Sequence, residues 1–223
     1  MEGQSVKKAC ILANGEYRHE ERLLPLVREA DLVIAADGGA NWLAAQGLIP
    51  DILVGDMDSI ADEVRATIGA QGARLVTAPR GKDETDLELA LLEAVAMDVQ
   101  QITVLGALGG RIDHALANVH LLALTALRGR DVRLYDGTSY LWLAQEQTRV
   151  QGEPGDLVSL IPLGGDVRGV RTQGLAYPLR GETLFVGPAR GISNVMTEVE
   201  ATIELEAGTL LVAHTPAANL ERG

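Results

Sequence analysis

Through the first 136 residues, short apolar runs that end in Asp or Gly alternate with longer segments of helical period. That alternation restricts the chain to a parallel sheet whose strands are joined by crossover helices. The strand candidates are Lys8 to Ala13, Leu32 to Ala36, Ile52 to Gly55, Arg74 to Ala78, Ile102 to Leu105 and Val132 to Tyr135. Most are apolar on both faces, as buried parallel strands are. Leu87, Leu91, Ala94 and Val95 form one helical stripe, and Ile112, Leu116, Val119, Ala123 and Leu127 form another, which predicts two amphipathic helices. After Gly137 the helical period fades, Gly and Pro recur, and strand-like runs appear at Leu157 to Ile161, Thr183 to Val186, Ala201 to Leu205 and Thr209 to Ala213. The expected fold is therefore α/β: an N-terminal open parallel-sheet (Rossmann-like) domain over residues 1–137, then a C-terminal antiparallel β-sandwich domain over 138–223.

Composition limits what such a chain binds. With 47% hydrophobic and 22% charged residues among 223, it can bury a core without staples. Nineteen Lys+Arg against 31 Asp+Glu give a net charge of −12, so the overall field repels phosphate backbones and anionic lipid. Neither nucleic acid nor a membrane is an expected partner, and no segment approaches the roughly 20 apolar residues of a membrane helix. Cys10 is the only cysteine, which excludes an internal disulfide and fits a reducing compartment. Behind MEGQSVKK stands only the short apolar stretch ACILA, too little for a signal-peptide core, so a cytoplasmic location is expected.

In an open parallel sheet, ligands bind outside the carboxyl ends of the strands. Here those positions are acidic and rich in glycine: Asn14-Gly15, Asp37-Gly38-Gly39, Gly55-Asp56-Met57-Asp58-Ser59, Lys82-Asp83-Glu84-Thr85-Asp86, and Gly106 through Gly109-Gly110-Arg111-Ile112-Asp113-His114. Two carboxylates about 5 Å apart repel by roughly 3 kcal/mol at an effective dielectric of about 20. A divalent cation removes that cost, and oxygen ligands without His or Cys favour Mg²⁺ bridging to substrate phosphates. The glycines allow close backbone approach, helix N-termini offer N–H donors, and Arg111 and Lys82 neutralise anionic charge. Taken singly, several of these residues have a plainer explanation. Ser59 with Asp62 and Thr85 with Glu88 fit helix capping, and the Gly-Gly pairs fit turns. His114 reads as a helix-start residue, His19, His120 and His214 as ordinary surface or helix positions, and Cys10 as a small core residue. Capping does not account for Asp56-x-Asp58 directly after an apolar strand together with acidic residues at several other strand ends. No Walker loop, G-x-G-x-x-G, G-x-S-x-G or H-E-x-x-H is present in the sequence. The residues alone thus reach a Mg²⁺-dependent enzyme acting on a phosphorylated ligand, with the acceptor open.

The strings ADGGANWL, PDILVGDMDSI, KDETDLELAL and LGALGGRIDHALANVHLL, in that order and ahead of Gly191-Ile192-Ser193-Asn194, resemble the thiamine pyrophosphokinase (thiamine diphosphokinase) family over nearly the whole chain. The resemblance implies a homodimer with its active site between subunits, an α/β domain that binds MgATP and a β-sandwich that helps bind thiamine. It implies transfer of pyrophosphate from ATP to the thiamine hydroxyl, releasing AMP. Asp56, Asp58 and Asp83 match the magnesium site, with Asp37 nearby. Asp37, Gly38, Gly39, Lys82, Thr85, Gly109, Gly110 and Arg111 match ATP-binding positions, while Asp86 and Arg111 join Asp56 and Asp58 as catalytic candidates. Asp113, Ser193 and Asn194 match thiamine contacts. Tyr177 falls where an aromatic ring, Trp in some members, stacks on the substrate; an ordinary strand aromatic is the other reading of that position. The alternatives are a pyrophosphokinase for another alcohol such as a pterin, a non-catalytic Mg-nucleotide-binding module, and a metal-dependent phosphohydrolase.

Overall fold

The computed structural model describes residues 7–77, 81 and 83–220. The chain divides into two compact units, Met1–Gly137 and Thr138–Gly223. In the first, β1 (Lys8–Leu12), β2 (Leu32–Ala36), β3 (Ile52–Gly55), β4 (Arg74–Thr77), β5 (Gln101–Leu105) and β6 (Asp131–Tyr135) pair in the order β6-β5-β1-β2-β3-β4. Every pairing is parallel. Strands two to four step outward on one side of β1 and strands five and six on the other. The topological switch therefore lies between β1 and β5, where ligand crevices form in such sheets.

Among the described residues, five helices cross between these strands: α1 (Glu20–Arg28), α2 (Gly39–Ala45), α3 (Asp62–Ala70), α4 (Asp86–Ala96) and α5 (Ile112–Leu121). Ile11, Leu12, Ile34, Leu53, Ile102, Leu105 and Leu134 are fully buried in the strands, as their two-sided apolar character predicts. The edge strand β4 departs from that pattern, leaving Leu75 45% exposed. Ala78, the last residue of the strand expected there, lies outside the described residues. Helix α4 follows its predicted stripe, burying Leu87, Ala90, Leu91 and Ala94 and packing on β1, β2 and β3.

The second predicted stripe behaves differently. Helix α5 stops at Leu121, and Leu127 is buried from a separate 3-10 turn, Thr125–Leu127. No residue of α5 is buried, and Ile112 and Leu116 are 73% and 58% exposed. An apolar period identifies a face, but it does not say what covers that face.

The second unit holds β7 (Tyr140–Ala144), β8 (Gln147–Gln151), β9 (Leu157–Pro162), β10 (Val167–Gln173), β11 (Arg180–Leu184), β12 (Asn194–Val195), β13 (Glu200–Glu204) and β14 (Leu210–Thr215). They form two antiparallel groups, ordered β12-β9-β14-β7 and β11-β10-β13-β8. Trp142, Val158, Leu160 and Val212 from one sheet share a core with Val150, Val170, Ala201 and Ile203 from the other, which is the packing of a β-sandwich. The strand expected at Thr183 to Val186 runs instead over Arg180–Leu184, and Phe185 and Val186 are exposed beyond it. Outward-pointing Arg168 and Arg171 interrupt the apolar run of β10 and conceal it from a reading that looks for apolar segments.

His214, expected at the surface or on a helix, is a buried residue of β14. Its Nε2 lies 2.8 Å from Oδ2 of the buried Asp156, whose carboxylate also accepts the backbone N–H of Glu153 at 3.0 Å and of Ala217 at 2.8 Å. Facing a carboxylate, that imidazole nitrogen carries the proton. Burial pushes the Asp156 carboxyl up, but the donors from Ala217, Glu153 and His214 outweigh it and hold it below the ordinary carboxylate value. A depressed folded pKa gives stability that is present above the ordinary value and lost as pH falls through the folded one. Asp156→Asn is therefore expected to lower unfolding free energy by about 2 kcal/mol at neutral pH, with the gap to wild type closing below about pH 4 in urea titrations. Burial also pushes the Cys10 thiol up to about 12. A maleimide at neutral pH should leave the native thiol unmodified and label it once the chain is unfolded.

Candidate active site

The turn after β2 is built by close approach. A Cβ on Gly39 would lie 2.1 Å from the Leu12 carbonyl oxygen, so only glycine lets α2 start against the end of β1. Asp37 just before it has φ 44, is 5% exposed, and donates its backbone N–H to Val54 O at 2.8 Å. The turn thus fixes the Asp37 carboxylate beside the end of β3.

The loop after β3 coils around its own carboxylates. Asp56 Oδ1 accepts the Asp58 N–H at 3.1 Å, and Asp58 Oδ1 accepts the Ser59 hydroxyl at 3.1 Å. Met57, with φ 66, is buried, while Asp37 Oδ1 accepts the Ser59 N–H at 3.4 Å. One carboxylate oxygen from each of Asp37, Asp56 and Asp58 lies within 4.8 Å of the others. Asp86, the first residue of α4, is close by: a Cβ on Gly55 would lie 3.1 Å from both Asp37 Cβ and Asp86 Oδ1. Burial first, and then the charge of Asp86, raises the Asp37 carboxyl above its ordinary range against the Ser59 hydrogen bonds.

Capping accounts for some residues and not others. Thr85 Oγ1 accepts the Glu88 N–H at 3.1 Å and starts α4, which aims Asp86 at the group. The Ser59–Asp62 capping box does not form, because α3 begins after Ala61 with no side-chain cap. Asp83 is exposed in the loop ahead of α4 and stands outside the three-carboxylate group; Lys82 lies outside the described residues.

Across the switch point, the loops after β1 and β5 are joined. Gly15 N–H donates to Gly106 O at 2.7 Å, Glu16 N–H to Leu108 O at 3.2 Å, and Gly110 N–H to Glu16 Oε1 at 2.9 Å. Gly109 and Gly110 have φ 82 and 63. Arg111 forms a two-pronged pair with Asp113, at 3.1 and 2.5 Å, and its hydrogen bond holds the Asp113 carboxyl down to about 2. Sequence reasoning missed Glu16 and also Asn41, whose amide holds the β3–α3 loop: Nδ2 donates to Ser59 O at 2.8 Å, and Oδ1 accepts the Ala61 N–H at 3.1 Å. The signal for Asn41 was present in ADGGANWL, two residues after the turn that places Asp37.

In the second unit, Tyr177 and Asn194 line a cavity of about 560 Å³ together with Leu160, Arg180, Glu182 and Ile192. Asn194 is buried, and its amide brackets the backbone of Tyr177: Oδ1 accepts the Tyr177 N–H at 3.0 Å, and Nδ2 donates to its carbonyl at 2.8 Å. The Tyr177 residue itself is 72% exposed. Ser193, with φ 54, lies between two lining residues and donates its backbone N–H to Ser159 Oγ at 2.9 Å.

Residues 23–134 match the family described as thiamin pyrophosphokinase, catalytic domain, and residues 146–210 match thiamin pyrophosphokinase, vitamin B1 binding domain. The chain belongs to the thiamine pyrophosphokinase family. It is 30% identical over 209 residues to the thiamine pyrophosphokinase of Bacillus subtilis, covering 93% of this chain and 98% of that one. It is also 30% identical over 203 residues to thiamine pyrophosphokinase 1 of Oryza sativa, covering 79% and 76%. The Bacillus subtilis crystal structure superposes with a TM-score of 0.84 at 28% identity, covering 94% of this chain and 99% of that one. Yeast thiamin pyrophosphokinase, at 15% identity, shares the fold with a TM-score of 0.83 over 98% and 89% of the two chains. As a member of the thiamine pyrophosphokinase family, the chain is an enzyme.

Gly55 combines φ 142 with side chains at 3.1 Å, whereas Gly69 in α3 has open space around it. Gly55→Ala is expected to destabilise the protein by about 1–3 kcal/mol. Gly69→Ala should stabilise it by about 0.5–1 kcal/mol. Chemical denaturation of the two variants side by side checks the contrast.

Proposed function

We propose that this enzyme transfers the pyrophosphoryl group of MgATP to the hydroxyl of thiamine, giving thiamine diphosphate and AMP. The observation that carries this reading is the convergence of Asp37, Asp56 and Asp58 at the ends of β2 and β3 in a chain of this family. The donor set fits Mg²⁺: all ligand atoms are hard carboxylate oxygens, with no His or Cys among them, and a buried acid crowded by Asp86 gains from a cation. Asp56 and Asp58 would hold the ion with Asp37, and the family resemblance adds Asp83. Once bound, the ion offsets negative charge on the polyphosphate.

The chain's own residues supply positioning and charge. Gly38, Gly39, Gly109 and Gly110 keep side chains away from the backbone that approaches the nucleotide, with Thr85 and Lys82 as further ATP contacts. Arg111, on the exposed loop leading into α5, would exchange part of its pairing with Asp113 for polyphosphate oxygens. Transfer forms the bond from the thiamine hydroxyl oxygen to the β-phosphorus and breaks the bond to the oxygen that leaves with AMP. A carboxylate among Asp56, Asp58 and Asp86 accepts the hydroxyl proton.

On the acceptor side, Asp113, Tyr177, Ser193 and Asn194 would bind thiamine. The cavity below Tyr177 supports this assignment, since a cationic heteroaromatic ring suits an exposed tyrosine face. A cytoplasmic homodimer with the active site at the subunit interface completes the reading. Ile112 and Leu116, exposed beside Arg111 and Asp113, fit a face that a second copy covers.

The test is to incubate the protein with MgATP, with and without thiamine, and to separate AMP, ADP and thiamine diphosphate. Thiamine-dependent AMP in step with thiamine diphosphate is expected. ADP, or AMP formed equally well without thiamine, would overturn the acceptor, and a pterin alcohol in competition tests the rival substrate. Asp56→Asn is expected to reduce turnover by about 100-fold or more while shifting the melting temperature only slightly.

A further inference from the structure

Asn41 touches neither of the groups expected to react, yet it is bonded to the loop that carries two of the three clustered carboxylates. It stands on α2, the helix that begins two residues beyond Asp37. Its amide reaches across to the β3–α3 loop and makes two backbone bonds there, donating to Ser59 O at 2.8 Å and accepting from Ala61 N–H at 3.1 Å. The turn bearing Asp37 and the loop bearing Asp56 and Asp58 are thereby joined by a neutral clamp. A further bond between these two segments, from Ser59 N–H to Asp37 Oδ1, is longer at 3.4 Å and uses one of the crowded carboxylates itself.

The crowding explains why such a clamp is needed. Carboxylates within 4.8 Å repel one another, and nothing in their own charges opposes a drift of the loop away from Asp37. A residue that resists the drift has to offer both a donor and an acceptor, because Ser59 presents a carbonyl and Ala61 an N–H. It also has to add no charge. Among side chains of this length, Asn alone meets these requirements: Asp lacks the donor and carries a charge, and Leu lacks both groups.

We propose that Asn41 is a positioning residue that fixes the separation of Asp37 from Asp56 and Asp58, and so sets the affinity of the carboxylate group for its divalent cation. The proposal rests on the metal reading of that group given above. A purely structural clamp would lower thermal stability when removed without changing metal affinity relative to an equally destabilised protein. A positioning clamp changes the affinity itself.

The measurement is Mn²⁺ binding by electron paramagnetic resonance, without nucleotide, on wild type, Asn41→Ala, Asn41→Asp and Asp31→Ala. Asp31 is the control, since its Oδ2 accepts the Lys8 N–H at 2.9 Å at the opposite edge of the sheet. Asn41→Ala is expected to weaken Mn²⁺ binding about tenfold or more, the size of effect seen when a supporting residue behind metal ligands is lost. Asp31→Ala should lower the melting temperature and leave Mn²⁺ affinity unchanged. Asn41→Asp is the sharper variant and decides the question alone if Asn41→Ala does not fold. Its added negative charge would by itself tighten cation binding, so weaker binding shows that geometry dominates. Mn²⁺ affinity equal to wild type in Asn41→Ala, or tighter than wild type in Asn41→Asp, would overturn the proposal alone. A wild-type protein that binds no Mn²⁺ would overturn the metal reading and the proposal together.

Discussion

Repulsion among carboxylates at the carboxyl edge of the parallel sheet is the constraint around which the first unit is arranged. Asp37, Asp56 and Asp58 have oxygens within 4.8 Å of one another, and Asp86 adds its charge to the same corner. Like charges at that range repel, most strongly where burial removes the screening of water, as at Asp37, and less at the exposed Asp58. The surrounding geometry holds the group in spite of this. Gly39 lets α2 start against β1, Gly55 leaves room between Asp37 and Asp86, Thr85 starts α4 where Asp86 faces inward, and Asn41 ties the loop down. A well-packed sheet with Ile11, Leu12, Ile34 and Leu53 fully buried provides the stability against which such strain can persist.

Much of this was legible because parallel sheets impose a simple mapping from sequence to space. Two-sided apolar runs mark buried strands, and the residues that follow them must gather at one edge. The expected strands therefore recur with boundaries shifted by a residue or so, and Asp37, Asp56 and Asp58 come together. The β-sandwich was harder to read. Its strands alternate inward apolar with outward charged residues, and β10 is broken by Arg168 and Arg171, so runs of apolar residues understate it. Asp156 and His214 escaped for a related reason: 58 positions apart, they become a pair only through tertiary packing. Helix α5 shows the opposite limit, a clear apolar stripe that one chain leaves uncovered.

Two asparagines carry out similar work in the two units. Asn41 brackets the loop of the acidic group, and Asn194 brackets the backbone of Tyr177. Each uses both ends of one amide on main-chain groups, Asn41 on Ser59 and Ala61 and Asn194 on Tyr177 and Val195, and neither brings charge into a region already crowded or buried. The resemblance attached Asn194 to the ligand directly. In the structure its amide also bonds the backbone of Tyr177 and Val195, which fixes the main chain of an exposed aromatic residue. Preorganisation of that kind reduces the entropy lost when a ligand settles against the ring.

The opposite edge of the sheet shows acidic residues in a different state. There Asp31 accepts the Lys8 N–H at 2.9 Å and Asp51 accepts the Val33 N–H at 2.8 Å, so these carboxylates hold the entries of β1 and β2 by contact-range bonds. Ionic strength consequently acts on the two edges unequally. Mobile ions shorten the reach of the repulsion among the gathered carboxylates but do little to hydrogen bonds made at contact distance. A chain with an excess of negative charge thus has one end that salt relaxes and another that salt leaves alone, and its response to buffer composition is set by where along each strand the aspartates stand rather than by how many there are.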